Sequence, residues 1–267
     1  MPVEYRYLGP DGSGIEALPE GTGAAIGSEY CVHLLPSAER LFSLCTEAAK
    51  RRIPLLLLTP YFRDDELKAA MGLFRAVPAG APLGVAVNDW GLLLALHALF
   101  PHLSLSIGRL LSGQKRCPRI PVSSRLTEEG RAWHGEGLFS SPRARRFLEG
   151  EYGVRGYHLD DLEGMRPALP EREGGGGEAS PPRLFLHSPF AIVTVTDRCP
   201  WIGGRSSSAL PTCPRPCLGG TITLDEPSMG NGMIQRGKAR FRRVDPDERA
   251  GRPPSGAADR VLYADLP

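Results

Sequence analysis

Four cysteines have the residue type and the spacing to hold a metal. Cys199, Cys213 and Cys217 form a C-x13-C-x3-C group, and Cys31 stands far upstream. The group opens in Asp197-Arg198-Cys199-Pro200, straight after the apolar run Phe190 to Val195. It continues through glycine, serine and proline, a backbone able to fold around a metal. Thiolates are soft ligands, and four of them suit either an iron–sulfur cluster or a structural zinc. Two further cysteines fall outside the set. Cys45 lies on the apolar face of an expected helix and reads as a core residue, because a buried free cysteine behaves as a small hydrophobe. Cys117, between Arg116 and Pro118, reads as a spare exposed thiol whose pKa the nearby charge lowers.

A second group is polar and scattered. Asn88, Asp89, Arg109, Asp160 and Asp161 each come just after an expected strand, and His187 lies within one. A carboxylate at such an edge can act as general acid or base, and an arginine can clamp an anion with two parallel hydrogen bonds. Helix capping competes for the same residues, since Asp and Asn accept backbone N–H bonds at helix starts. Asn88, Asp89, Arg109, Asp160 and His187 are the candidate catalytic set. Ser206-Ser207-Ser208 lacks the strand–turn–helix frame of a nucleophile elbow, and no H-E-x-x-H occurs.

These residues need elements to position them. Ser37 to Arg51 puts Leu41, Leu44, Cys45 and Ala48 on one helical face. Ile53 to Thr59, Gly84 to Val87, Leu103 to Ile107 and Gly156 to Leu159 read as short buried strands, and Asp64 to Phe74 and Trp90 to Phe100 as helices between them. Leu184 to Val195 reads as one long strand-like segment bent at Pro189. Val3 to Leu8 and Val261 to Ala264 supply first and last strands. Ser112 to Phe139 shows no clear period and reads as a loop carrying a helix or two. Pro170 to Pro182, with Gly174 to Gly177, reads as a flexible surface loop.

About eight strands alternating with helices predict a single domain over residues 1–267, an irregular (β/α)8 TIM-like barrel with long loops. An open doubly wound sheet is the alternative. In a closed barrel the first and last strands meet, which is how Cys31 is expected to reach the late cysteines.

Composition narrows the setting. Hydrophobic residues make up 41% of the 267 positions and charged ones 23%, enough for a sizeable core. A formal net charge of +2 gives no whole-molecule field to attract nucleic acid. The basic stretch Arg236, Lys238, Arg240, Arg242 and Arg243 reads as a solvated face. No apolar run approaches the ~20 residues of a membrane span, and Met1 to Leu8 lacks the apolar core of a signal peptide. A cytoplasmic location is the expectation, and there six cysteines argue for metal or catalysis over disulfides.

Four stretches together resemble the peptidase U32 family, and within it the short iron–sulfur branch that supports oxygen-independent hydroxylation in ubiquinone biosynthesis. They are Gly27-Ser28-Glu29-Tyr30-Cys31, Val87-Asn88-Asp89-Trp90-Gly91, Thr196-Asp197-Arg198-Cys199 with Cys213 and Cys217, and the closing strand Asp259 to Leu266. The resemblance implies a 4Fe-4S cluster on Cys31, Cys199, Cys213 and Cys217, with zinc as the alternative that ligand chemistry leaves open. It also implies a related barrel subunit as partner, a small aromatic or prenylated substrate, and a redox or hydroxylase role. Peptidase activity is carried by the family name alone. Ser112 to Glu151 matches the family poorly, and the glycine-rich loop and the tail from Arg236 to Ala258 are particular to this chain.

Overall fold

Eight short parallel strands close on themselves in the computed structural model, which describes residues 2–162, 182–206, 212–225, 232–244 and 258–264. The first half of the chain alternates regularly: β1 (Glu4–Tyr7), β2 (Gly23–Gly27), α1 (Ala38–Arg51), β3 (Leu55–Leu58), α2 (Asp64–Arg75), β4 (Leu83–Val87), α3 (Trp90–Leu99) and β5 (Ser104–Ile107). Three helices follow, α4 (Arg119–Val122), α5 (Glu128–Glu136) and α6 (Pro142–Tyr152), and then β6 (Gly156–Asp160) and β7 (Arg183–Ser188). The next six strands are β8 (Phe190–Val195), β9 (Arg198–Cys199), β10 (Arg205–Ser206), β11 (Ile222–Leu224), β12 (Met233–Arg236) and β13 (Ala239–Arg243). The chain returns to the barrel only in β14 (Asp259–Leu262).

The barrel order is β1-β14-β7-β6-β5-β4-β3-β2. Tyr5 of β1 pairs with Val261 of β14 on one side and Gly23 of β2 on the other, so the two ends of the chain close the ring. Parallel neighbours need a crossover, and α1, α2 and α3 supply it between β2 and β5. Helix α1 starts where the Ser37 hydroxyl accepts the Arg40 N–H and ends at Arg52, whose φ of 57° breaks the helical run. Its buried face is Leu41, Leu44, Cys45 and Ala48, as the spacing predicts. These side chains share a cluster with Leu55 and Leu57 of β3, while Leu56 and Leu58 belong to a second cluster with Ala86, Phe185 and Val261. Strand residues alternate between faces, so the first cluster lies under the helices and the second fills the barrel. Helix α3 divides its apolar residues: Leu92, Leu93 and Leu96 are buried, and Trp90, Leu94 and Leu99 are exposed. No described helix is long and apolar enough to cross a membrane.

The segment expected as one bent strand is two strands in different sheets. At Pro189 the chain leaves β7 and enters β8, which joins β13, β12 and β11 in an antiparallel sheet. This sheet adds a second layer to the expected single barrel and lies over the carboxyl ends of the barrel strands. Phe190, Ile192, Ala239 and Phe241 from it share the interior cluster with Leu58, Ala86 and Tyr263. The basic stretch is part of it: Ala239 and Phe241 are buried, Arg240 and Arg243 are exposed, and Arg242 is intermediate, along β13. Lys238, at the β12–β13 turn, is buried rather than solvated. The expected loop from Pro170 to Pro182 lies outside the described residues except for Pro182.

Candidate functional site

The four cysteines reach one pocket from two parts of the chain. Cys31 arrives on the loop after β2. That loop leaves the strand at Gly27, whose φ is 88° and where a Cβ would lie 2.5 Å from the Leu58 carbonyl oxygen; no other residue fits. Cys199 ends β9, and Cys217 sits in the 3-10 turn Pro216–Gly219. Cys31, Cys199, Cys213 and Cys217 line the same pocket, with Leu34, Trp201, Ile202 and Pro216 in its apolar wall. Gly237, in the β12–β13 turn, completes it: a Cβ there would stand 2.9 Å from the Tyr30 ring and 3.6 Å from Cys217 Sγ.

The backbone is arranged to favour thiolate. The Arg215 N–H donates to Cys213 Sγ at 3.4 Å. The backbone of His33 serves Cys31 in the same way, and Trp201 and Ile202 serve Cys199. Lys238 lies near Cys31 and Cys199 and stands 5.0 Å from the Tyr61 ring centroid. Arg236 lies near Cys217 and donates to its carbonyl oxygen at 3.1 Å. Against these, burial pushes the thiols of Cys31 and Cys199 up, and that of Cys217 to about 11. A metal bound here must displace protons, which ties its affinity to pH.

Among the described residues no group of three or more His, Cys, Asp or Glu side chains is placed to hold a metal ion as it stands. The four thiols therefore face one pocket without closing around a single point. One zinc needs its thiolates ~2.3 Å from a common centre, whereas a cluster spreads its four cysteines over separate irons. The donor set, the apolar wall and the N–H groups aimed at sulfur fit a four-thiolate centre. The other two thiols stand apart from it: Cys45 is buried in the α1 interface, and Cys117 receives a hydrogen bond from Arg119 Nε at 3.4 Å.

The candidate catalytic residues form a different structure, at the covered mouth of the barrel. Arg109 is fully buried. Its Nε donates to Glu29 Oε2 at 2.7 Å, and Nη1 donates to Asp160 Oδ1 at 2.7 Å and to the Phe190 carbonyl at 2.9 Å. Burial opposes its charge, but Glu29, Tyr263 and Asp160 outweigh this and raise its pKa. Arg116 pairs with the other oxygen of Asp160, so two cations balance two carboxylates. Asn88 Nδ2 donates to the Thr59 carbonyl at 2.8 Å and to Glu29 at 3.2 Å, and its Oδ1 accepts the Leu110 N–H at 2.7 Å. Asp89 is not in this network. Its carboxylate accepts the N–H groups of Leu92 and Phe62, which makes it the cap of α3. Asp161 lies beyond β6, where its backbone N–H donates to the His187 carbonyl.

From Arg109 a chain of hydrogen bonds runs down the barrel, and its direction is fixed at both ends. Arg109 Nη2 donates to Tyr263 Oη at 3.0 Å. At the far end Ser106 Oγ donates to the Val85 carbonyl at 3.1 Å, so it accepts from His158 Nε2 at 2.9 Å. His158 Nδ1 then accepts from His187 Nε2 at 2.7 Å, and His187 Nδ1 accepts from the Tyr263 hydroxyl at 2.7 Å. Each imidazole uses its one donor and one acceptor, which requires both to be neutral and protonated on Nε2. Burial agrees: it lowers the pKa of His158 and His187 well below 6.5, with the charge of Arg109 adding to the effect.

Sequence reasoning missed Glu29, His158 and Tyr263. Glu29 and Tyr263 lie two residues and one residue past their strands, so the rule that selected Asn88 and Arg109 also reaches them. His158 shares the inward period of two with Asp160.

No protein-family model matches this chain, and no curated protein sequence does. Among solved structures, that of the U32 peptidase Mk0906 is similar over 100% of this chain and 94% of its own, with 12% identity and a TM-score of 0.44.

Proposed function

We propose that this protein carries a 4Fe-4S cluster on Cys31, Cys199, Cys213 and Cys217 and works as a redox subunit. One observation carries the reading: four cysteines separated by up to 186 positions line one apolar pocket (217 − 31 = 186), with backbone N–H groups directed at three of the sulfurs. When bound, such a centre exchanges single electrons. The chain's own part is to exclude water with Leu34, Trp201 and Ile202, and to set Lys238 and Arg236 beside a site that gains negative charge. The finer assignment is oxygen-independent hydroxylation of a small aromatic or prenylated ring in ubiquinone-type biosynthesis, alongside a related barrel subunit. It rests on the sequence resemblance alone.

The test is protein purified without air. About four irons and four sulfides per chain are expected for one such cluster, with a brown colour that Cys199→Ala abolishes. Colourless protein holding one zinc would instead make the site a structural tie between the barrel and its covering sheet. The pathway is tested separately: a deletion strain grown without oxygen should lose a hydroxylated quinone precursor.

The buried network around Arg109 supports a structural role. Arg109 and Asp160 are 0% exposed, and His187 is 1% exposed under β8. Through Phe190 and Ile192 the network fastens the covering sheet.

A further inference from the structure

The barrel is covered at its carboxyl end and open at the other. A cavity of about 300 Å³ enters between the amino ends of the strands and is lined by Tyr5, Leu56, Gly84, Ser106, Arg155 and Phe185, among others. That is at the lower end of the size of small-molecule sites, roughly 300–1,000 Å³. The hollow has a cause in the sequence. Gly84 and Ser104 stand at the starts of neighbouring strands and leave space where other strands put large residues.

We propose that this cavity binds a small aromatic carboxylate, ring inward and anion outward. The orientation follows from which groups are committed. At the inner end Ser106 gives its hydroxyl proton to the Val85 carbonyl and accepts from His158, so it has no donor left for an anion. The surrounding wall is Leu56, Leu83 and the rings of Tyr5 and Phe185, which lie 5.7 Å apart edge to face. An apolar ring fits there, and a carboxylate does not. At the rim Arg183 is tied to Asp259 at 2.7 Å and spread over the Tyr5 and Phe185 rings. Arg155 is exposed, and among the described residues its guanidinium has no ion-pair or hydrogen-bond partner. It is the guanidinium able to take the anion, with His102, whose ring packs edge-on against Phe100, as the neighbouring donor at the rim. The proposal is independent of the metal reading, because the cavity lies at the opposite end of the barrel from the cysteines.

Benzoate is the probe, with benzamide as its neutral match and acetate as the anion without a ring. Titration followed by ligand-observed NMR should give a benzoate dissociation constant on the order of 1 mM, as suits a ligand of that size. Benzamide should bind several-fold more weakly, and acetate should show no saturation. Arg155→Ala should weaken benzoate about tenfold, the value of one charge-assisted hydrogen bond, and leave benzamide unchanged. Gly84→Val should abolish binding of both. A Cβ at Gly84 meets nothing closer than 3.6 Å and the position is already extended, so the melting temperature should hold. No saturable benzoate binding, or binding that both variants leave intact, would overturn the proposal. A Gly84→Val protein that melts early leaves the Arg155→Ala comparison to decide.

Discussion

Acidification from pH 7.5 to 5.5 should cost this protein about 3 kcal/mol of folding stability through two histidines alone. His158 and His187 are neutral in the fold because each spends both ring nitrogens in a one-way chain, and because burial holds their pKa well below 6.5. In the unfolded chain each titrates near 6.5. The sign follows: below that value the unfolded state binds protons that the folded state refuses. Stability is full above about pH 6.5 and is lost as pH falls toward the depressed folded values. Over the stated interval the unfolded protonation factor rises tenfold per histidine, which gives the quoted total for the pair. The assay is urea unfolding at both pH values, for the wild type and for a His158→Gln/His187→Gln variant. The variant lacks this slope, and the remaining groups, including any bound metal, cancel in the comparison. Nitrogen NMR of labelled imidazoles gives a direct check: two rings should stay neutral and Nε2-protonated to pH 5.5. Equal pH slopes in the two proteins, or either ring titrating above pH 6, would refute the one-way chain.

Three further outcomes follow from the same structure. Arg109→Met should destabilise by roughly 3–5 kcal/mol, because it leaves Glu29 buried without its cation and Asp160 with Arg116 alone; a shift in urea midpoint worth less than about 1 kcal/mol would show that water reaches the site. Cys199→Ala should lose iron and melt earlier, while Cys45→Ala should keep its full iron content, measured side by side after anaerobic purification. Cys117 should be the first thiol alkylated by iodoacetamide near neutral pH. Burial raises its pKa, but hydrogen bonds from Arg119 outweigh this and lower it; mass spectrometry after brief labelling should find the adduct there before Cys31, Cys199 or Cys217.

The sequence was sufficient where one local rule decides a residue's surroundings. The period of Leu41, Leu44, Cys45 and Ala48 determined the buried face of α1. The apolar runs alternating with helices determined the parallel barrel. Spacing and the family resemblance named the four cysteines that line one pocket, and the rule of polar residues after strands pointed to Asn88, Arg109 and Asp160, which share one buried network. Tertiary structure decided what stands on top of those residues. Periodicity reports that a face is covered, not by what, so nothing local announced that the chain leaves the barrel at Pro189 to lay β8 across its mouth. That one placement turned candidate catalytic residues into a sealed hydrogen-bonded network. It also drew Lys238 out of a basic stretch and beside the cysteines, while Asp89, next to Asn88 in the chain, became a helix cap. Adjacent residues met different fates because their partners come from different segments: Asn88 bonds Glu29, Thr59 and Leu110, whereas Asp89 caps its own helix and holds the Phe62 N–H.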